Sequence, residues 1–134
     1  MNVETFTPDN VMTPIGPYSH IAKAGPFIAI SATAGVDPAT GQLAGPDVYT
    51  QTAQILKAFR LMLDSVGAGM DSVMHVHVFL INMEDFDEMN RAYREAFTSH
   101  LPARSVVGVS ALPKQGALLT MNLTAVMHES AATP

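Results

Sequence analysis

An arginine at the entrance of an apolar strand is the residue in this sequence best suited to chemistry. The stretch Pro102-Ala103-Arg104-Ser105-Val106-Val107-Gly108-Val109-Ser110-Ala111-Leu112-Pro113 reads as a strand held between prolines. Side chains alternate along a strand, so Val107 and Val109 share one face and Arg104, Val106, Gly108 and Ser110 the other. A guanidinium fixed there offers a planar fork of donors matched to one carboxylate. The alternation alone favours a simpler reading, an edge arginine in a surface ion pair that contributes little. His75 and His77 also share a strand face and could begin a metal site. No third histidine or carboxylate shares their strand, and structural zinc takes four ligands. Packed, hydrogen-bonded histidines near a subunit contact are the preferred reading, and no metal site is expected.

The elements around these residues follow from pattern. With 134 residues, 48% of them hydrophobic and 14% charged, the chain is long enough for one domain with a sizeable core. We expect 1–134 to form that domain, with 1–13 and 128–134 peripheral. No apolar run is long enough to cross a bilayer. The start, Met1-Asn2-Val3-Glu4-Thr5, lacks a basic region followed by an apolar one, so no secretory signal is expected and a cytoplasmic protein is the default. With no cysteine, thiolate chemistry and disulfides are excluded. A net charge of −5, with seven scattered basic residues, argues against a surface that tracks phosphates. Nine methionines and few charges suggest leftover apolar surface that an oligomer would bury.

Pro14-Ile15-Gly16-Pro17 is a stiff turn, because both prolines fix φ. Tyr18 to Lys23 and Phe27 to Ser31 read as a hairpin broken at Gly25-Pro26. Tyr18 by itself reads as a half-buried core tyrosine. Pro46-Asp47 opens a helix whose apolar residues Val48, Ile55, Leu56, Phe59, Met62, Leu63 and Val66 recur at helical spacing, and Gly67 ends it. Ser72 to Ile81 is a strand, with Met74, Val76, Val78 and Leu80 on one face and His75, His77, Phe79 and Ile81 on the other. Its near-continuous apolar run suggests that both faces are covered. Asn82 and Asp85 suggest a capping box for a second helix with the stripe Phe86, Met89, Tyr93 and Phe97. Leu118 to Met127 is the last strand, and the tail after His128 reads as disordered. The order β-β-α-β-α-β-β predicts an α+β fold, a mixed sheet with two helices on one face.

The Pro-Ala-Arg-Ser strand and its Leu-Pro end resemble the signature of the Rid family, the reactive-intermediate deaminases also called YjgF proteins. Ile15-Gly16-Pro17-Tyr18, Ser31, Asp37-Pro38-Ala39-Thr40-Gly41, Asn90 and Tyr93 fall in the expected order. The resemblance spans about Pro14 to Val126, and several ordered motifs are more specific than one. It implies a chorismate-mutase-like fold and a homotrimer whose sheets form a central barrel, with ligand clefts between subunits. It also implies hydrolysis of a 2-aminoacrylate-like enamine or imine to a 2-oxo acid and ammonia, with no cofactor. Arg104 would hold the carboxylate, the Val106 N–H would face the reacting carbon, and Tyr18, Ser31, Ala32 and Ser105 would complete the substrate site. Some members are described as ribonucleases, which the charge balance here does not support; the partners implied are a small carboxylate and further copies of the chain, with no nucleic acid or membrane.

The sequence departs from that family in three places. Alanine stands at Ala32 where glycine is usual, which should narrow the pocket. One extra residue lies beside Gly116. Most telling, Thr120 stands where deaminating members carry a glutamate. A threonine can hold a water, but at its ordinary pKa it is no general base. Two readings follow: a deaminase using Arg104 and a water held near Thr120, or a trimer that binds a carboxylate metabolite without turnover.

Overall fold

The computed structural model describes residues 1–128, so the expected disorder after His128 lies outside the described residues. Its strands are β1 (Glu4–Phe6), β2 (Ile21–Ala24), β3 (Phe27–Thr33), β4 (Val73–Leu80), β5 (Ala103–Gly108) and β6 (Leu119–Val126). Helices α1 (Val48–Ser65) and α2 (Phe86–Ala96) complete the α+β fold. The sheet runs β1-β2-β3-β6-β4-β5, with β4 and β5 parallel and the other neighbours antiparallel. Because α2 carries the chain from β4 to its parallel neighbour, β5 ends up at the sheet edge, and Arg104 with it.

Both helices are bounded by identifiable chemistry. The Asp47 carboxylate accepts from the Thr50 N–H at 2.9 Å, which caps α1 and lowers the Asp47 pKa. At the other end, the Ala68 N–H reaches Leu63 O at 2.9 Å and Gly67 takes a φ of +80°, a conformation that glycine adopts without penalty. The expected capping box at α2 does not form. Asn82 instead caps a 3-10 turn, Met83–Asp85, by accepting from the Glu84 N–H, and α2 starts only at Phe86. Ile55, Leu56, Phe59, Met62 and Leu63 of α1 pack on Val76, Val78, Leu80, Met121 and Leu123 of the sheet. Burying each such side chain stabilises the fold by ~1.5–3 kcal/mol.

Several expectations change. Residues 1–13 are not merely peripheral, since Glu4–Phe6 adds an edge strand and Val11 and Met12 are buried. The first hairpin strand begins at Ile21, leaving Tyr18 outside the ladder. Val73, not Met74, joins the core. The β4–β6 register shifts between Val73 and His75, which turns Met74 out to 57% exposure. A period-of-two reading cannot place such an irregularity, because one extra residue reverses every later side chain. The β4 face bearing His75, His77 and Phe79 is not covered by either helix, and Val107 of β5 is 46% exposed.

Gln51, fully buried, ties α1 to the loops beside the ends of β3 and β6. Its Nε2 donates to Gly45 O at 2.9 Å and Gly116 O at 3.3 Å, and its Oε1 accepts from the Leu118 N–H at 2.8 Å. Gly35 lies so close that an added Cβ would sit 2.5 Å from Gln51 O. Gln51→Leu should lower stability by ~3 kcal/mol, because each buried group left unpaired costs ~1–3 kcal/mol. That corresponds to a thermal midpoint lower by roughly 10 °C. A loss under ~1 kcal/mol by denaturant titration would show that other partners replace the amide.

Candidate functional site

Residues distant in sequence meet around a cavity of about 640 Å³ on the sheet face away from the helices. The segment from Met12 to Tyr18 forms one wall. The end of β3 and the loop after it form a second, and Thr120 with Pro113 and Lys114 closes the third. Of the site residues expected from sequence, Tyr18, Ser31, Ala32 and Thr120 line this space together. The Tyr18 hydroxyl accepts from the Ile15 N–H at 3.4 Å, so the stiff turn carries the ring at the cavity rim. β3 is irregular between Ile30 and Thr33, and this break places Ser31 and Ala32 at the cavity. Thr120 lies opposite Phe79 on β4, between the core residues Leu119 and Met121, and is itself 7% exposed.

The structure adds His20, which the sequence reading did not select. The Ser31 N–H donates to His20 O at 3.0 Å, extending the β2–β3 pairing by one step beyond Ile21 and Ile30. His20 and Ser31 therefore face each other across the two strands. His20 Nε2 lies 2.6 Å from Met12 O. A carbonyl only accepts, so Nε2 carries the proton and Nδ1 presents a lone pair in the neutral ring. His20 Nδ1 and Ser31 Oγ are both buried and have no partner among the described residues. Leaving each unpaired costs ~1–3 kcal/mol. The available signal was positional only: a histidine two residues after Tyr18.

Arg104 is elsewhere. It projects from β5 to the helix side of the sheet, where its Nη1 donates to Asn90 Oδ1 at 2.8 Å. The guanidinium lies 4.7 Å from the Tyr93 ring centroid and 5.7 Å from that of Phe86. Burial pushes the Tyr93 hydroxyl up to about 12, against a smaller lowering by Arg104, so the ring stays a neutral phenol beneath the cation. Among the described residues no carboxylate pairs with Arg104, whereas Arg91 is engaged by Glu88. Val109 N–H bonds Leu80 O, so by alternation the Val106 N–H points off the free edge of β5, beside Arg104. The Ser105 side chain faces the other way, its Oγ 3.2 Å from His75 Nε2. The His75 and His77 rings lie 4.1 Å apart between centroids, tilted by 53°, and among the described residues no three potential ligands are grouped for a metal.

Within one chain Arg104 and the cavity are thus separate. β4 lies between β5 and β6, and the two groups of residues occupy opposite faces of the sheet. The sequence model of the family described as Endoribonuclease L-PSP matches residues 9–127. The chain belongs to this family, the Rid or YjgF proteins. It is 40% identical over 111 residues to the RutC family protein PH0854 of Pyrococcus horikoshii, covering 83% of this chain and 88% of that one. It is 37% identical over 100 residues to the human 2-iminobutanoate/2-iminopropanoate deaminase, covering 75% and 73% respectively. The structure of Escherichia coli TdcF with bound serine superposes with a TM-score of 0.87 at 26% identity, covering 93% of this chain and 99% of that one. The mixed six-stranded sheet with two helices on one face is the fold of this Rid family. Among the described residues no helix is long and apolar enough to cross a membrane.

Proposed function

We propose that this Rid protein hydrolyses a reactive enamine or imine of a 2-amino acid, 2-aminoacrylate-like, to a 2-oxo acid and ammonia. The reading rests on Arg104: a guanidinium oriented by Asn90 and Tyr93, with no acidic partner among the described residues. Such a cation is set to take a carboxylate from outside the chain. The remaining groups are placed for the other end of the molecule. In this proposal the Arg104 edge of one copy lies against the Tyr18–Ser31–Ala32–Thr120 cavity of a neighbour in a homotrimer, and the ligand spans the seam. The deaminase name carried by the human relative and the serine bound to TdcF favour a small amino-acid-derived ligand. The proposed setting is cytoplasmic, beside the pyridoxal-phosphate enzymes that release such acids.

The chemistry asks for little more than positioning. An imine carbon is already electrophilic, so a held carboxylate, a donor at the reacting end and an aligned water are sufficient. The test is to release an imine with a serine or threonine dehydratase and follow its decay. Added protein should accelerate decay well beyond buffer; no acceleration would count decisively against the reading. Thr120, in place of an acid, favours one alternative, a carboxylate-binding protein without turnover. That alternative predicts binding heat with small 2-oxo acids, dependent on Arg104, and unchanged imine decay.

A further inference from the structure

We propose that His20 Nδ1 is the proton acceptor of this site, holding the attacking water together with Ser31 Oγ. The inference rests on the deaminase reading above and goes beyond it. Three observations meet at His20. It lines the same cavity as Tyr18, Ser31 and Thr120. It is 1% exposed, with its Nε2–H committed to Met12 O, so the free nitrogen is Nδ1. That nitrogen and the hydroxyl of its cross-strand neighbour Ser31 both lack partners among the described residues. The two unsatisfied atoms sit on facing residues of a wall otherwise built largely of Met12, Ile15, Val36 and prolines, each just beneath its surface. Tyr18 and Lys114 are the other titratable groups lining the cavity, and Tyr18 meets the imidazole edge-on at 5.9 Å. Thr120 supplies no base, whereas the unprotonated nitrogen of a neutral imidazole accepts a proton.

In the proposed step the water oxygen bonds to the iminium carbon and the C=N pair moves to nitrogen. The water proton passes to His20 Nδ1. His20 then returns it to the amine nitrogen, the C–N bond breaks, and ammonia leaves with the bonding pair. The hydroxyl proton follows to Nδ1 and is released to solvent, leaving the 2-oxo acid.

The test is the pH dependence of catalysed imine decay in the full chain. His20→Gln preserves a donor for Met12 O but removes the basic nitrogen. It should lower kcat about 100-fold, within the range for general-base catalysis, and flatten the acid limb of the kcat profile, with KM little changed. A merely structural histidine would be rescued by this substitution. Ser31→Ala is the second arm: kcat should fall about tenfold with the limb retained, as expected for a lost water contact. A His20→Gln protein within threefold of wild type with the same pH profile, or an unchanged Ser31→Ala protein, overturns the inference while leaving the deaminase reading intact. A wild-type protein inert at every pH removes both.

Discussion

Arg104→Ala is expected to lower kcat/KM for imine hydrolysis about 100- to 1000-fold while leaving the fold nearly as stable. The two outcomes have separate causes. A carboxylate that loses a bidentate, partly desolvated guanidinium forfeits ~3–4 kcal/mol, and each ~1.4 kcal/mol is tenfold in rate. Within the chain, Arg104 donates to the uncharged Asn90 amide and weakly to Met89 Sδ, and lies over the Tyr93 ring. Losing these should cost no more than ~1 kcal/mol, because Asn90 is half-buried and water can replace the guanidinium. Arg104→Lys should recover only part of the rate, since an ammonium keeps the charge but not the fork or the stacking. Steady-state kinetics beside thermal melts would check this. A rate within threefold of wild type would mean that the ligand carboxylate is held elsewhere.

The second large effect is a rescue. Arg104→Ala should disable the proposed clamp, and Ser31→Ala combined with Tyr18→Ala the proposed cavity site; each protein alone should be nearly inactive. The clamp and cavity of one chain occupy opposite faces of the sheet with β4 between them. If a working site takes its clamp from one copy and its cavity from the next, some mixed oligomers contain one site with both parts intact. For random mixing of equal amounts, about a quarter of all sites should be whole, as in any closed assembly with head-to-tail contacts. Activity should therefore rise to about a quarter of wild type after the two variants are unfolded together and refolded, and not after simple addition if exchange is slow. No recovery, with mixed oligomers verified by mass spectrometry, would place the complete site within one chain or remove the shared cleft.

The open sheet face bears on the same assembly. His75, His77, Phe79 and Val107 lie on the side that neither helix covers. A continuous apolar strand such as β4 reads in sequence as buried on both faces, and a single chain covers only one. The discrepancy is what a surface reserved for another copy would produce.

Much of this was legible in the chain itself. Alternation along β5 put Arg104 and Val106 on one face and turned Val107 away. Helical spacing marked the buried stripe of α1 and that of α2, and Asp47 and Gly67 gave the ends of α1. Those features depend on neighbours within a few residues, so local periodicity and capping chemistry are enough. The tertiary structure alone decided the rest. The irregular steps at Met74 and at Ser31-Ala32 arise from pairing between strands distant in sequence, and no period of two contains them. Only that same pairing faces His20 with Ser31, leaves both polar atoms without partners, and separates Arg104 from the cavity by a strand and by the thickness of the sheet.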